Sequence, residues 1–296
     1  TVFCMKIRIN QPYGYTQIGQ RKGQQDSIAP QAADTATRCF VVCDGVGGLE
    51  RGEVASALVA ETVERMVEET LADGGTFGVA ELQHVLCRAY DCLYDNRSVS
   101  HRMATTLAMM VMTGRGVLVA HIGDSPMLQL RPHEGTIFRT FDHSLVAEMV
   151  ARGDISAEEA LQHPQRNIIT RCMFVPDRQR RISQATVDMI ADVRPGDVFL
   201  LCSDGVNGAV SEEYLARLLT ADDLTLQQKG ELLQQQTADS HDNNTAWIVE
   251  VADVEHEEGD PTVNSTCETA IESVFDDNDS IADRLRRWWK DVTSKW

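Results

Sequence analysis

Four aspartates stand at the ends of apolar, strand-like runs. Asp44 follows Val41-Val42-Cys43, Asp124 follows Ala120-His121-Ile122-Gly123, Asp204 follows Leu200-Leu201-Cys202-Ser203, and Asp242 lies just ahead of the run 246–251. Taken singly, each reads as a turn, because Asp before Gly, Ser or Asn is ordinary turn chemistry. Together they imply more. If the strand ends align along one edge of a sandwich, the carboxylates converge, and like charges at that distance repel unless something compensates them. A divalent cation would do so. Carboxylates, a turn carbonyl and water form an all-oxygen ligand set that suits Mg²⁺ or Mn²⁺ better than zinc. The eight histidines are dispersed, without HxxxH or HExxH spacing, which argues against a zinc site.

The runs that would position these aspartates alternate in blocks. Residues 38–43 are apolar and rich in β-formers, and Asp44-Gly45 ends them, as for a buried strand entering a turn. The next stretch has helical spacing: Val54, Leu58, Val59, Val63, Met66, Val67 and Leu71 recur up to Gly74-Gly75, which predicts a long amphipathic helix with a glycine stop. Val79, Leu82, Val85, Leu86, Ala89 and Leu93 mark a second helix over 79–94. Residues 105–113 and 116–122 read as strands joined at Gly114-Arg115. Residues 127–131 read as a third after the turn Gly123-Asp124-Ser125-Pro126, the three forming an antiparallel meander. A helical insert follows, with 144–152 closed by Gly153 and a capping box opening at Ser156. Runs 198–202 and 246–251 are again strand-like, with helices around 212–219 and 226–236. Hairpin blocks with helix blocks, and no βαβ rhythm, predict an α+β sandwich.

Seven segments in this order resemble a known motif series: Arg21-Lys-Gly-Gln-Gln-Asp26, Asp44-Gly-Val-Gly-Gly, Ala104-Thr-Thr106, Gly123-Asp-Ser125, Asp142-His-Ser144, Ser203-Asp-Gly205 and Asp242-Asn-Asn-Thr245. They are similar to the motifs of the metal-dependent type 2C Ser/Thr protein phosphatases, particularly bacterial ones. The resemblance runs from about Lys6 to Val251. It implies a four-layer αββα sandwich, two antiparallel sheets flanked by helices, with two Mn²⁺ or Mg²⁺ ions at one edge. By motif position Asp44 bridges both ions, the Gly45 carbonyl completes the first site, and Asp204 and Asp242 complete the second. Asp124, with Asp204, offers a third, weaker site. A metal-activated water then hydrolyses phosphoserine or phosphothreonine on proteins, without a phosphoenzyme. Arg21 matches the phosphate-gripping arginine, and Asp26 matches the residue that orients water. The implied partners are phosphoprotein substrates and a bacterial-type Ser/Thr kinase whose signalling the enzyme reverses.

The sequence departs from that pattern at three places. The histidine that many eukaryotic members carry after the first Asp-Gly is Val46, which cannot donate a proton to the leaving alkoxide. The usual Asn-Glu-Asp is Gln24-Gln25-Asp26, one carboxylate fewer near the first metal. The arginine often following Gly-Asp-Ser is Pro126, and its structural role passes to Arg131 or to nothing. A competing reading is a catalytically silent pseudophosphatase that binds phosphoproteins or senses metal. The complete set of metal-site carboxylates argues against it. Hydrolysis of small phosphate esters on the same fold would use the same residues. No P-loop Lys-Ser/Thr follows Val46-Gly47-Gly48, no GxSxG elbow accompanies His143 and Ser144, and the spacing Cys172 to Arg178 lacks the internal glycine of a cysteine phosphatase.

Charge and composition narrow the remaining classes. The 296 residues carry a formal charge of −18, from 27 Lys and Arg against 45 Asp and Glu, so the chain repels nucleic acid and anionic membranes. No apolar run approaches the roughly 20 residues that cross a bilayer. Eight cysteines without a CxxC pair, several inside apolar runs, read as free thiols of a reducing compartment. The first residues show no secretion signal, and the expected location is the cytoplasm. Residues 1–252 form the expected phosphatase domain, with a flap insert at about 145–182 whose Arg152, Arg166, Arg171 and Arg178 could steer substrates. Residues 253–280 read as an acidic flexible linker. Residues 281–296, with Trp288 and Trp289 among basic residues, read as a short amphipathic helix or a disordered tail that could dock a partner.

Overall fold

In the run Cys39–Asp44 every residue before the aspartate is fully buried, and side-chain parity explains why the run is continuously apolar. Cys39, Val41 and Cys43 face one hydrophobic cluster while Phe40 and Val42 face another, so both faces of this strand lie inside the protein. The structure is a computed structural model and describes residues 3–47, 49, 51–72, 76–176 and 182–258.

Its elements follow in chain order: β1 (Phe3–Ile9), β2 (Tyr13–Gln17), β3 (Asp26–Ala29), β4 (Cys39–Asp44), α1 (Gly52–Ala72), α2 (Val79–Asp95), β5 (Ala104–Thr105), β6 (Leu107–Thr113), β7 (Gly116–Ile122), β8 (Met127–Arg131) and β9 (Gly135–Arg139). Then come α3 (Leu145–Arg152), α4 (Ala157–Gln162), β10 (Met173–Phe174), β11 (Thr186–Ile190), β12 (Val198–Cys202), α5 (Asp204–Asn207), α6 (Glu212–Leu219), α7 (Leu226–Gln236) and β13 (Asn244–Glu258). One antiparallel sheet has the order β11-β7-β6-β4-β3. The other runs β1-β13-β12-β8-β9, with β2 also paired to β13.

Three apolar layers make this the expected four-layer αββα sandwich. Phe40, Val42, Met110 and Val119 of the first sheet pack against Met127, Phe199, Leu201, Trp247 and Val249 of the second. Trp247 sets its edge on Phe40 at 5.2 Å and donates its indole N–H to the Ala29 carbonyl at 3.0 Å. The opposite parity of the first sheet packs on α1 and α2 through Val59, Val63, Val67, Leu82, Val85 and Leu93. The opposite parity of the second packs on α6 and α7 through Leu215, Leu219, Leu226 and Leu233. Each fully buried side chain of this size contributes about 1.5–3 kcal/mol. No helix among the described residues is long and apolar enough to cross a membrane.

Two expectations need correction. Strands β6 and β7 pair as a hairpin, but β8 does not extend it into a meander; β8 pairs with β12 and β9 in the other sheet. Gly123, at φ +114°, turns the chain across the sandwich at this point, and a Cβ there would stand 2.6 Å from the Thr106 methyl, so only glycine makes the crossing without strain. The second concerns the acidic stretch after residue 252. Residues 253–258 are not linker but the end of β13, paired with β1 in register through Lys6↔Glu255 and Met5↔His256. Arg8 forms ion pairs with both Asp253 and Glu255, which offsets their charge on this edge. The rest of the expected linker, and the whole 281–296 segment, lies outside the described residues.

Arg131 does not serve the site in place of an arginine at position 126. It sits at the other end of β8, where it forks onto the fully buried Asp197 at 2.7 Å from Nε and 2.9 Å from Nη2. Asp197→Ala is expected to cost about 3–5 kcal/mol in urea unfolding, because it leaves a buried guanidinium without its main counter-charge. A loss below about 1 kcal/mol, the range of surface pairs, would show that Arg131 relaxes to water.

Candidate metal centre

The first carboxylate is placed by strand pairing. Asp44 ends β4 directly opposite Asp26, the first residue of β3. Its main chain is held on both sides: the Asp44 N–H donates to Thr106 Oγ1 at 2.9 Å, and its carbonyl accepts from the Thr106 N–H at 2.8 Å and from Thr105 Oγ1 at 2.9 Å. Gly45 follows where the backbone passes close to α1. A Cβ there would lie 2.5 Å from the Gly52 carbonyl carbon and 2.8 Å from the Gln25 carbonyl oxygen, so the turn takes only glycine.

Thr106 also joins this turn to the next, since its hydroxyl lies 2.7 Å from Ser125 Oγ. That contact fixes the Gly123-Asp124-Ser125 turn beside Asp44, and His143 braces it from behind. The Gly123 N–H donates to His143 Nδ1 at 3.1 Å, the His143 N–H donates to the Gly123 carbonyl at 2.9 Å, and His143 Nε2 lies 2.8 Å from Thr186 Oγ1. His121 stacks on His143 with ring centroids 4.5 Å apart. Ser144 caps α3 and Gly153 ends it in the left-handed conformation, so Asp142-His143-Ser144 braces the entry to the flap. Of the flap arginines, Arg152, Arg166 and Arg171 are exposed, and Arg178 lies outside the described residues.

The second sheet contributes Asp204 and Asp242. Ser203, at the end of β12, donates from Oγ to Asp26 Oδ2 at 2.7 Å and accepts the Thr245 N–H at 3.0 Å, stitching the two sheets beneath the carboxylates. Asp204 opens α5, and Gly205 passes so close to the 242–245 segment that a Cβ would meet the Asn243 carbonyl oxygen at 1.9 Å. Asn243, itself buried, holds the loop 18–25: it accepts the Gln25 N–H at 2.8 Å and donates to the carbonyls of Ile18 at 2.8 Å and Gly23 at 3.0 Å. That loop carries Arg21, whose guanidinium is paired with Asp242.

Electrostatically the edge is under-compensated. Burial, then the charges of Asp26, Asp204 and Asp124, hold the Asp44 carboxyl well above the usual range. Burial and Asp242 raise Asp204, and burial raises Asp26. Asp124 is pushed up to about 8 by burial and by Asp204 and Asp142. The charge of Asp204 is among the causes that raise Asp44, so the two carboxylates repel unless a proton or a cation compensates them. One oxygen of Asp26 and one of Asp204 are buried with no partner. Among the described residues no three Asp, Glu, His or Cys side chains already close on one point, and Asp242 faces Arg21 instead. Orphaned buried oxygens, mutually repelling carboxylates and an all-oxygen donor set nevertheless fit a divalent cation, which would supply the missing positive charge.

The edge therefore gathers Asp44, Asp26, Asp204, Asp124 and the Arg21–Asp242 pair from both sheets, an arrangement suited to cation-assisted hydrolysis of a phosphate ester. Residues 13–242 match the profile of the family described as protein phosphatase 2C, and the chain belongs to that family. It is 30% identical over 222 residues to the serine/threonine phosphatase stp of Listeria monocytogenes, covering 71% of this chain and 83% of that protein. It is 28% identical to protein phosphatase PhpP of Streptococcus pneumoniae, covering 79% and 94%. The crystal structure of the Mycobacterium tuberculosis serine/threonine phosphatase PstP/Ppp superposes with a TM-score of 0.70 at 27% identity, over 82% of this chain and 99% of that one. The catalytic domain of PstP in complex with two manganese ions superposes at 0.66, with 26% identity over 85% and 100%. The fold, the family and the class of enzyme, a protein-serine/threonine phosphatase, agree.

The roles of Ser203 and Asn243 were not read from the sequence. Both lie inside quoted motifs, beside an aspartate, and that adjacency was the available signal.

Proposed function

We propose that Asp44, the Gly45 carbonyl, Asp204 and Asp242 hold two Mn²⁺ or Mg²⁺ ions, with Asp124 and Asp204 holding a third, to dephosphorylate phosphoserine and phosphothreonine on proteins. The observation that carries this reading is the pair of orphaned buried oxygens of Asp26 and Asp204, with Asp44 set directly opposite Asp26 by strand pairing. When bound, such ions supply Lewis acidity and activate a water for in-line attack on phosphorus. The chain's own residues do the rest. Arg21, half-exposed at the rim, offers its planar fork to the phosphoryl oxygens. Asp26, fixed through Oδ2 by Ser203, keeps its buried Oδ1 without a hydrogen-bond partner and orients the attacking water. Val46 donates nothing, so the leaving alkoxide takes its proton from water. The two-manganese PstP structure and the stp and PhpP relatives support the reading. On this reading the enzyme works in the cytoplasm, opposite a Ser/Thr kinase.

The test is hydrolysis of a phosphothreonine peptide in EDTA, in Mg²⁺ and in Mn²⁺, with Asp204→Asn alongside. Turnover that needs the metal and falls about a thousandfold in the variant is expected, as loss of several kcal/mol of charge stabilisation requires. Turnover in EDTA, or a fully active variant, would remove Asp204 from the chemistry.

A further inference from the structure

Beside Arg21 a cavity of about 430 Å³ opens between the loop 18–25 and the start of α1, lined by Arg21, Lys22, Gly23, Gln24, Gln25 and Glu53. The phosphatase reading uses only Arg21 of these. We infer that this cavity is a second anion subsite, with Lys22 as its specificity-determining residue, and that it takes an acidic group of the substrate close in sequence to the phosphoresidue. The inference rests on the phosphatase reading and names a preference within it.

Four observations support it. Arg21 is committed to the catalytic edge through Asp242, whereas Lys22 has no ion-pair partner among the described residues. Glu53, the acid on the cavity wall, is paired with Arg51 at 3.5 Å. The cavity also faces the first residues of the 21-residue helix α1, whose positive dipole end favours an anion. Finally, the loop is fixed from behind: Asn243 binds the Gln25 N–H and the Ile18 and Gly23 carbonyls, and Gln24 donates to Thr16 Oγ1 at 2.7 Å and to the Gln17 carbonyl at 3.0 Å. Lys22 therefore projects from a preorganised backbone, in a chain whose net charge of −18 would otherwise repel acidic peptides. Because Arg21 lines both the cavity and the catalytic edge, an anion in the cavity belongs to a neighbour of the phosphoresidue; an extended peptide advances only about 3.3 Å per residue.

The anion is a carboxylate or a second phosphoryl group, and peptides separate the two. The experiment measures kcat/KM, with Mn²⁺ present, for a phosphothreonine peptide with neutral flanks and for versions carrying Glu or phosphoserine at each of the positions one or two residues to either side. At one position or more the acidic peptide is expected to exceed the neutral one about threefold to fivefold, as one exposed charge pair allows, and the excess shrinks with added salt. In Lys22→Ala the ratio returns to about one, and in Lys22→Glu it inverts. A second variant keeps Lys22: Gly23 lines the cavity, a side chain there would meet nothing within 4 Å, and its φ lies outside the left-handed region, so Gly23→Glu places a carboxylate beside the cavity without backbone strain and lowers the ratio. A ratio near one at every position in the wild type, or the same ratio in Lys22→Ala, overturns the subsite while leaving the phosphatase reading intact. Failure to hydrolyse even the neutral peptide overturns the phosphatase reading and the subsite with it.

Discussion

Asp44→Asn is expected to lower phosphopeptide hydrolysis by about a thousandfold or more while raising the melting temperature of the metal-free protein. The two effects share one cause. The Asp44 carboxyl is surrounded by burial and by Asp26, Asp204 and Asp124, so its charge is a liability to the fold until a cation arrives. Asparagine has nearly the same shape and carries no charge. At this chain length each kcal/mol of repulsion removed raises Tm by about 2–4 °C. Asp197 behaves in the opposite way: it is also a buried aspartate, but it faces Arg131, so its removal destabilises. The sign of the stability change thus separates a carboxylate held for chemistry from one held for structure. Melts in chelator and a phosphopeptide assay with Mn²⁺ measure both. If Asp44→Asn melts lower than the wild type in chelator, the carboxylate is a structural group; if it keeps its activity, Asp44 does not hold the metal.

What could be read from the sequence divides along physical lines. Strands buried on both faces announce themselves as nearly continuous apolar runs, and β4, β6, β7 and β12 are legible for that reason, whereas β8, with Gln129 and Arg131, is legible from the turn Gly123-Asp-Ser-Pro126 ahead of it. Helices α3 and α4 were legible through Ser144, Ser156 and Gly153, whose capping chemistry is local. Strands β2, β3, β9 and β11 are four or five residues long and mix polar with apolar residues, so nothing local marks them. The end of β13 was hidden more thoroughly. Its acidic residues read as linker, and only pairing with β1, some 245 residues away along the chain, shows that Arg8 offsets them. At the site, the aspartates stood out because each ends an apolar run. Ser203 and Asn243 did not, because a residue that fixes a backbone has no composition or period of its own; its role exists only once Asp26 and the loop 18–25 are beside it.

Without divalent cations, the protein is expected to lose stability as pH rises from about 6.5 to about 8. Carboxyls in an unfolded chain titrate near 4, whereas those of Asp26, Asp44 and Asp204 are raised and that of Asp124 stands at about 8. Between those limits the folded state binds more protons than the unfolded state, so stability falls with rising pH, by at most about 1.4 kcal/mol per unit for each group. Two histidines act in the other direction lower down. Burial depresses His121, and burial together with His121 brings His143 down to about 3. An unfolded histidine titrates near 6.5, so both gain stability as pH rises to that value and offset the carboxylates below it. Above 6.5 the unfolded histidines lose their remaining protons within about one pH unit, so their offset fades and the carboxylates dominate. A bound cation compensates the carboxylates and reverses the outcome: at a hundredfold excess over its Kd it adds about 2.7 kcal/mol, and it does so most at the pH where the carboxylates are ionised. Melting curves at pH 6.5, 7.2 and 8.0, in EDTA and in Mn²⁺, should therefore fall with pH in the first series and hold level or rise in the second. A chelated protein whose Tm climbs across that interval would mean that the carboxylates are already compensated within the chain, and that the edge has no need of a metal.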